Sequence, residues 1–184
     1  MLAVKNFIAL LAFLLLQNSS SIIAQSVNAK GKLIIVGGGS MPDTMYQLFA
    51  KSIGGKDQSV VVIPTATNDS AINAGAHLTR FKKEGFTNLI TVHARSKDAA
   101  DAPAFIKAIQ NAKGIYFSGG DQSRIADAFL GTQVHAAMLD LFKRGGVFMG
   151  TSAGATIMGT LLVGGDARKD LTKPFDFPAA LNLF

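Results

Sequence analysis

The 184-residue sequence predicts a three-layer α/β sandwich built on a mostly parallel sheet. Three observations predict it. Short, continuous apolar runs recur along the chain, and each is followed by a stretch with helical spacing. Glycine- and proline-rich turns punctuate these runs. The last run opens directly into Gly150-Thr-Ser152-Ala-Gly154, the G-x-S-x-G spacing of a nucleophile elbow.

Lys32-Leu-Ile-Ile-Val36 reads as the first buried strand, ended by Gly37-Gly-Gly39. Ser40 and Pro42 mark a helix start, and Met45, Leu48, Phe49 and Ile53 fall on one helical face before Gly54-Gly55 stops the helix. Gln58 to Ile63 is the second strand, broken by Pro64. The polar loop Thr65-Ala-Thr-Asn-Asp69 leads into a weakly periodic helix through Phe81 that ends near Gly85. Asn88 to Val92 is a third strand, and Asp101 is placed to cap a helix carrying Phe105, Ile106 and Ile109. Lys113-Gly114 ends that helix, and Ile115-Tyr-Phe117 is the fourth strand. Thr132 starts a helix with Val134, Met138, Leu141 and Phe142 on its inner face, after which Gly145-Gly146 leads into the elbow strand. Ligands of such sheets sit beyond the carboxyl ends of the strands, where Gly37–Gly39, Pro64–Asn68, Ser118–Gln122 and Ser152 all fall. Beyond Gly164-Gly165 the pattern turns polar, with two prolines, until the apolar stretch Ala179 to Phe184.

Composition narrows the function classes. Nearly half the residues are hydrophobic and 16% are charged, which suits a well-filled core and argues against disorder. The net charge of +6 is dispersed: Lys82-Lys83 and Lys143-Arg144 sit at expected helix C-termini, where cations complement the dipole. No basic patch for nucleic acid emerges, and none is expected as a partner. Cysteine is absent, which excludes disulfides, a thiol nucleophile and cysteine-based zinc sites, and no metal site is expected. At the N-terminus, Lys5 precedes the apolar run Phe7 to Leu16, then Gln17-Asn-Ser-Ser-Ser and the small residue Ala24. That order predicts a secretory signal peptide over residues 1–24 and a secreted or periplasmic mature chain without lasting membrane insertion. The competing reading is an uncleaved anchor.

Two glycine-rich turns carry chemistry. A serine on a sharp strand-to-helix turn has a strained backbone and needs small neighbours, which Gly150, Ala153 and Gly154 supply. The helix that opens at Ala153 aims its first free N–H groups at the Ser152 hydroxyl, an arrangement suited to acyl transfer. In Phe117-Ser-Gly-Gly-Asp-Gln122 the paired glycines Gly119 and Gly120 expose backbone N–H groups, beside the acceptor and donor groups of Asp121 and Gln122. Asp121 alternatively serves as a helix cap. Gly37-Gly-Gly-Ser40 lacks the G-x-G-x-x-G pattern and no P-loop lysine accompanies it, so no nucleotide or other cofactor is expected.

Together, Ile-Pro-Thr-Ala at 63–66, Phe-Ser-Gly-Gly-Asp-Gln at 117–122 and Gly-Thr-Ser-Ala-Gly-Ala at 150–155 resemble cyanophycinase, of the serine peptidase group that also contains dipeptidase E. Arg124, Gly131-Thr132 and Arg144-Gly-Gly146 extend the likeness over roughly Lys30 to Gly165, and Gln122 favours the cyanophycinase side. The resemblance implies a sandwich similar to class I glutamine amidotransferases. It also implies hydrolysis of the poly-aspartate backbone of cyanophycin to β-Asp-Arg dipeptides. Ser152 would be the nucleophile, the N–H of Ala153 and one in Gly119-Gly120 the oxyanion hole, and Gln122, with Asp121 beside it, the substrate contact.

A serine nucleophile needs an imidazole to take its proton and a carboxylate to orient that imidazole. In the resembling family the histidine follows the serine in an Asp-Gln-His-Phe stretch, with the acidic partner later still, and this sequence reaches neither. The domain at 25–184 is therefore expected to be incomplete at its C-terminal end, and the chain inactive as it stands. Of the three histidines, His77 and His135 fall within helices, while His93, just past a strand end, is the one placed to approach the site. Alternatives left open are an aspartyl or isoaspartyl dipeptidase, a silent peptide-binding relative, and a homodimer.

Overall fold

A computed structural model describes residues 30–162 and 179–183. The expected signal peptide and the polar segment after Leu162 lie outside the described residues. Within them the chain alternates strand and helix as expected. The strands are β1 (Lys32–Val36), β2 (Val60–Ile63), β3 (Leu89–Thr91), β4 (Gly114–Phe117) and β5 (Val147–Thr151). They form one sheet in the order β1-β5-β4-β2-β3, and every pairing is parallel. In register, Phe117 of β4 stands beside Gly150 of β5, and Val36 of β1 beside Thr151.

A parallel sheet covered on both faces needs continuous apolar strands, because successive side chains enter opposite cores. Val61, Ile63, Ile115, Phe117 and Phe148 enter one core. Val60, Val62, Tyr116, Met149 and Ile34 enter the other. On the first side lie helices α5 (Pro103–Asn111), α6 (Gln122–Phe129) and α7 (Gln133–Lys143), through Ile109, Ile125, Phe129, Val134 and Met138. On the second lie α1 (Asp43–Ile53) and α3 (Ala76–Lys83), through Tyr46, Phe49, Ile53 and Phe81. Three layers result. Phe81 is the hub of the second core, meeting Tyr46 at 5.0 Å, Phe86 at 5.1 Å and Tyr116 at 4.9 Å between ring centroids, all edge-on. Such edge contacts add about 0.5–1.5 kcal/mol each beyond area burial.

Three local expectations differ in detail. The buried face of α1 is Tyr46, Phe49, Ala50 and Ile53, while Leu48 points outward. That is the expected stripe rotated by one residue, towards the aromatic cluster around Phe81. The helix expected between Asp69 and Gly85 is split into α2 (Asp69–Asn73) and α3 by Gly75, whose left-handed φ of 71° interrupts the spiral. Asp101 does not cap the helix carrying Phe105. It ends the short helix α4 (Lys97–Ala100), and its carboxylate accepts from the N–H groups of Gln133 and Val134 at 2.7 and 3.3 Å. Asp101 thus caps α7, with Thr132, whose hydroxyl accepts from the His135 N–H.

Candidate active site

β5 lies between β1 and β4, so whatever follows it emerges at the sheet's carboxyl edge with a strand on either side. Ser152 follows it, and the short helix α8 (Ala153–Thr156) begins at the next residue. The backbone of Ser152 sits at φ 49° and ψ −118°, a positive φ that L-residues rarely adopt. Surrounding contacts must hold it there. The Ser152 N–H donates to Val36 O at 3.0 Å, and its C=O accepts from the N–H groups of Ala155 and Thr156. The glycines on either side are required by close approach. A methyl on Gly150 would lie 2.1 Å from Gly154 O, and one on Gly154 would lie 2.2 Å from Phe117 O. Only hydrogen fits at both places.

Ser152 is exposed, whereas its neighbours Thr151 and Ala153 are buried. Beneath it, the buried Tyr116 hydroxyl lies 3.1 Å from Thr151 Oγ1, tying β4 to the residue before the serine. Burial pushes the Tyr116 phenol above its ordinary pKa, so it stays a neutral hydrogen-bonding group. The Ala153 N–H, first in α8, has no intrahelical acceptor by construction. Gly119 comes within van der Waals reach from the other side: a methyl carbon there would meet Ser152 Cβ at 3.4 Å. The Gly119 and Gly120 N–H groups have no hydrogen-bond partner among the described residues. An exposed hydroxyl flanked by free N–H groups on two loops can hold a tetrahedral oxyanion.

Asp121 is the N-cap of α6, accepting from the Ser123 N–H at 2.9 Å, and its second oxygen lies 3.7 Å from Arg124 Nε. Gln122, half-buried, is the first residue of α6. The histidines are placed elsewhere. His93 follows β3, three strands from β5, which at about 4.8 Å per strand puts it on the order of 14 Å away. Its Nδ1 lies 3.0 Å from Thr65 Oγ1 and its Nε2 3.5 Å from Asp69 Oδ1. Burial and then Arg95 hold its pKa below the ordinary histidine value, against the opposing pull of Asp69. His135 Nε2 contacts Leu181 O at 3.0 Å and His77 Nε2 contacts Thr91 Oγ1 at 2.9 Å. No histidine of the sequence bonds Ser152.

Sequence reasoning placed the 64–68 loop at the carboxyl edge but missed the arginines that hold it. Arg95 donates to Thr65 O, to Thr67 O and to the Asp69 carboxylate, and Arg124 adds a contact to Thr67 O at 3.3 Å. The polar run Thr65–Asp69 and a cation just past β3 were the available signal, since both fall at the carboxyl edge.

The pattern of peptidase family S51 matches residues 17–184. The chain belongs to this family. S51 relatives include cyanophycinases of Geminocystis herdmanii, 26% identical over 122 residues, and of Trichormus variabilis, 24% identical over the same length. Those stretches are 66% of this chain but 45% and 41% of the relatives, so the match spans less than half the curated proteins' length. Among solved structures, a peptidase from an acI-B1 actinobacterium superposes with a TM-score of 0.68 at 22% identity, over 83% of this chain and 64% of that one. A putative peptidase E protein from Listeria monocytogenes gives 0.57 at 19% identity, over 84% and 75%. These likenesses show the shared fold, and the family to which the chain belongs is one of peptidases.

Proposed function

We propose that this chain is a serine-type peptidase of the cyanophycinase kind, exported by an N-terminal signal peptide and built to cut a poly-aspartate backbone into β-Asp-Arg dipeptides. The observation that carries the reading is the exposed, backbone-strained Ser152, faced by free N–H groups on two separate loops. In this reading Ser152 Oγ attacks the scissile carbonyl carbon, and the oxygen's developing charge is held by the N–H of Ala153 and one from Gly119-Gly120. The C–N bond then breaks as the departing amine takes up the proton that the Ser152 hydroxyl gave up, and water hydrolyses the acyl-serine ester, restoring the hydroxyl and freeing the acid. Gln122, with Asp121 next to it, contacts the substrate from the start of α6. Gln122→Ala should weaken turnover by roughly 1–3 kcal/mol in transition-state free energy through the lost polar contact. Domain and export follow the same reading, with residues up to about Ala24 removed in the host. Mass spectrometry of the exported protein tests this, and an intact Met1 would contradict it.

The placement of the histidines favours a second reading, a peptide-binding relative with little catalysis. His77, His93 and His135 are all engaged away from Ser152, and in this second reading its hydroxyl stays neutral and weakly nucleophilic. Loss of the histidine alone costs a well-characterised serine protease about a millionfold in turnover. The deciding experiment offers cyanophycin and short aspartyl dipeptides to the 184-residue chain and to Ser152→Ala. Release of β-Asp-Arg that Ser152→Ala abolishes supports the first reading, and preference for dipeptides moves the substrate to an aspartyl dipeptidase. Binding of either substrate without release supports the second reading. Release undiminished in Ser152→Ala overturns the assignment of Ser152.

A further inference from the structure

We infer that Thr67 is a positioning residue whose hydroxyl aims the Gly120 N–H at the oxyanion site beside Ser152. This rests on the reading of Ser152 as an acyl-transfer nucleophile. The sheet order places β4 between β5 and β2, so the turn after β4 has Ser152 on one side and the 64–69 loop on the other. From the β2 side, Thr67 Oγ1 donates to Gly119 O at 3.2 Å. Its single proton is used there, so the Ser118 hydroxyl, 3.1 Å away, is the donor to Thr67 Oγ1.

The consequence follows from peptide planarity. No peptide among the described residues is cis, and in a planar trans unit the C=O of one residue and the N–H of the next point in opposite directions. A Gly119 carbonyl drawn towards β2 turns the Gly120 N–H towards β5, which is the side of Ser152. A glycine pair does not fix this orientation by itself, because both backbones accept positive and negative φ. Gly120 sits at φ 139°, and a methyl there would lie 2.2 Å from Ala66 O. The neighbouring N–H, of Asp121, donates to that same Ala66 O at 3.0 Å.

Thr67 is itself held. Its N–H donates to Pro64 O at 2.8 Å, and its carbonyl accepts from both Arg95 and Arg124. The two guanidinium groups thus secure the backbone of the residue that orients the glycine peptide. They fix the site at one remove.

Thr67→Val removes the hydroxyl at nearly constant shape, and Thr67→Ser keeps it. Crystal structures of both, free and with a peptidyl boronic acid ending in the boronate analogue of aspartate, read the peptide directly. In Thr67→Val the Gly119–Gly120 peptide should rotate and boronate affinity should fall by about a hundredfold, in line with losing an oxyanion donor. Thr67→Ser should restore both. Where a variant turns over peptide, the loss should appear in kcat with KM little changed. Should Thr67→Val not fold, Thr67→Ala removes the same hydroxyl without added bulk and is read the same way. An unrotated peptide with undiminished affinity in the hydroxyl-free variant overturns the inference. If even the unsubstituted protein binds no boronate, the peptidase reading fails, and the crystal structures alone decide whether Thr67 holds the peptide.

Discussion

At the scale of single residues, the site is defined by what cannot be larger. Gly154 packs against Phe117 O so closely that an added methyl would stand 2.2 Å from it, and the atoms it would strike first are backbone rather than the end of a flexible side chain. Gly154→Ala should therefore destabilise the fold by about 1–3 kcal/mol, the usual penalty for overpacking. Urea denaturation would show the midpoint falling with an unchanged slope, and an undisturbed midpoint would mean the elbow relaxes. Charge acts at the same scale through His93 and His77. Burial leads the causes that lower both pKa values, so the folded protein resists protonation that the unfolded chain accepts near pH 6.5. The unfolded state then binds more protons, so stability is intact above about pH 6.5 and declines as pH falls towards the folded-state values. Tm should drop between pH 7.5 and pH 5.5, and His93→Gln should flatten part of the drop. A Tm independent of pH over that interval would contradict the burial argument.

At the scale of elements, what the sequence made legible was what a short window contains. Lys32–Val36 is observed with the limits its apolar run suggests, and Thr132 caps α7 where a β-hydroxyl precedes an amphipathic stretch. Continuous apolar runs reveal parallel strands because both sheet faces are covered, and G-x-S-x-G reveals a turn because backbone contact forbids side chains. Long-range choices leave no such trace. Tyr46 rather than Leu48 turns inward on α1 because Phe81 waits there, and residues 35 positions apart carry no local signature of each other. Asp101 satisfies two N–H groups of α7, 32 positions on, while the helix beside it starts with Pro103 and a cap residue that forms no side-chain bond. Asp101→Ala should thus cost about 0.5–2 kcal/mol of stability, the range for a lost N-cap. Hydrogen exchange should localise the loss to the first turn of α7. Protection lost instead at the start of α5 would show that the cap is local after all.

At the scale of the whole molecule, the carboxyl edge gathers Ser152, Gly119, Gly120 and the Thr65–Asp69 loop from strands distant in sequence. Parallel topology does this, since every strand ends on that edge. The loop's role was hidden because Thr67 acts across 52 positions on the Gly119 carbonyl. At the β1 side of the sheet, β1 pairs only with β5 among the described residues, and Ile35 on it is 57% exposed. An apolar edge of this kind invites strand-to-strand association, which a charge opposes. Ile35→Lys should lower self-association in analytical ultracentrifugation without shifting the circular dichroism spectrum, and unchanged association would place any contact elsewhere.

The claim on which the account turns is that Ser152 is a nucleophile facing a two-loop oxyanion hole. Trapping tests it most directly, because a boronic acid forms a tetrahedral adduct with a serine hydroxyl and needs no turnover to be seen. The protein mixed with the aspartyl boronate should give a crystal structure with boron bonded to Ser152 Oγ. One boronate oxygen should lie within hydrogen-bond distance of the N–H groups of Ala153 and Gly120, and Ser152→Ala should bind none. A boronate bound away from Ser152, or bound as well by Ser152→Ala, would contradict it.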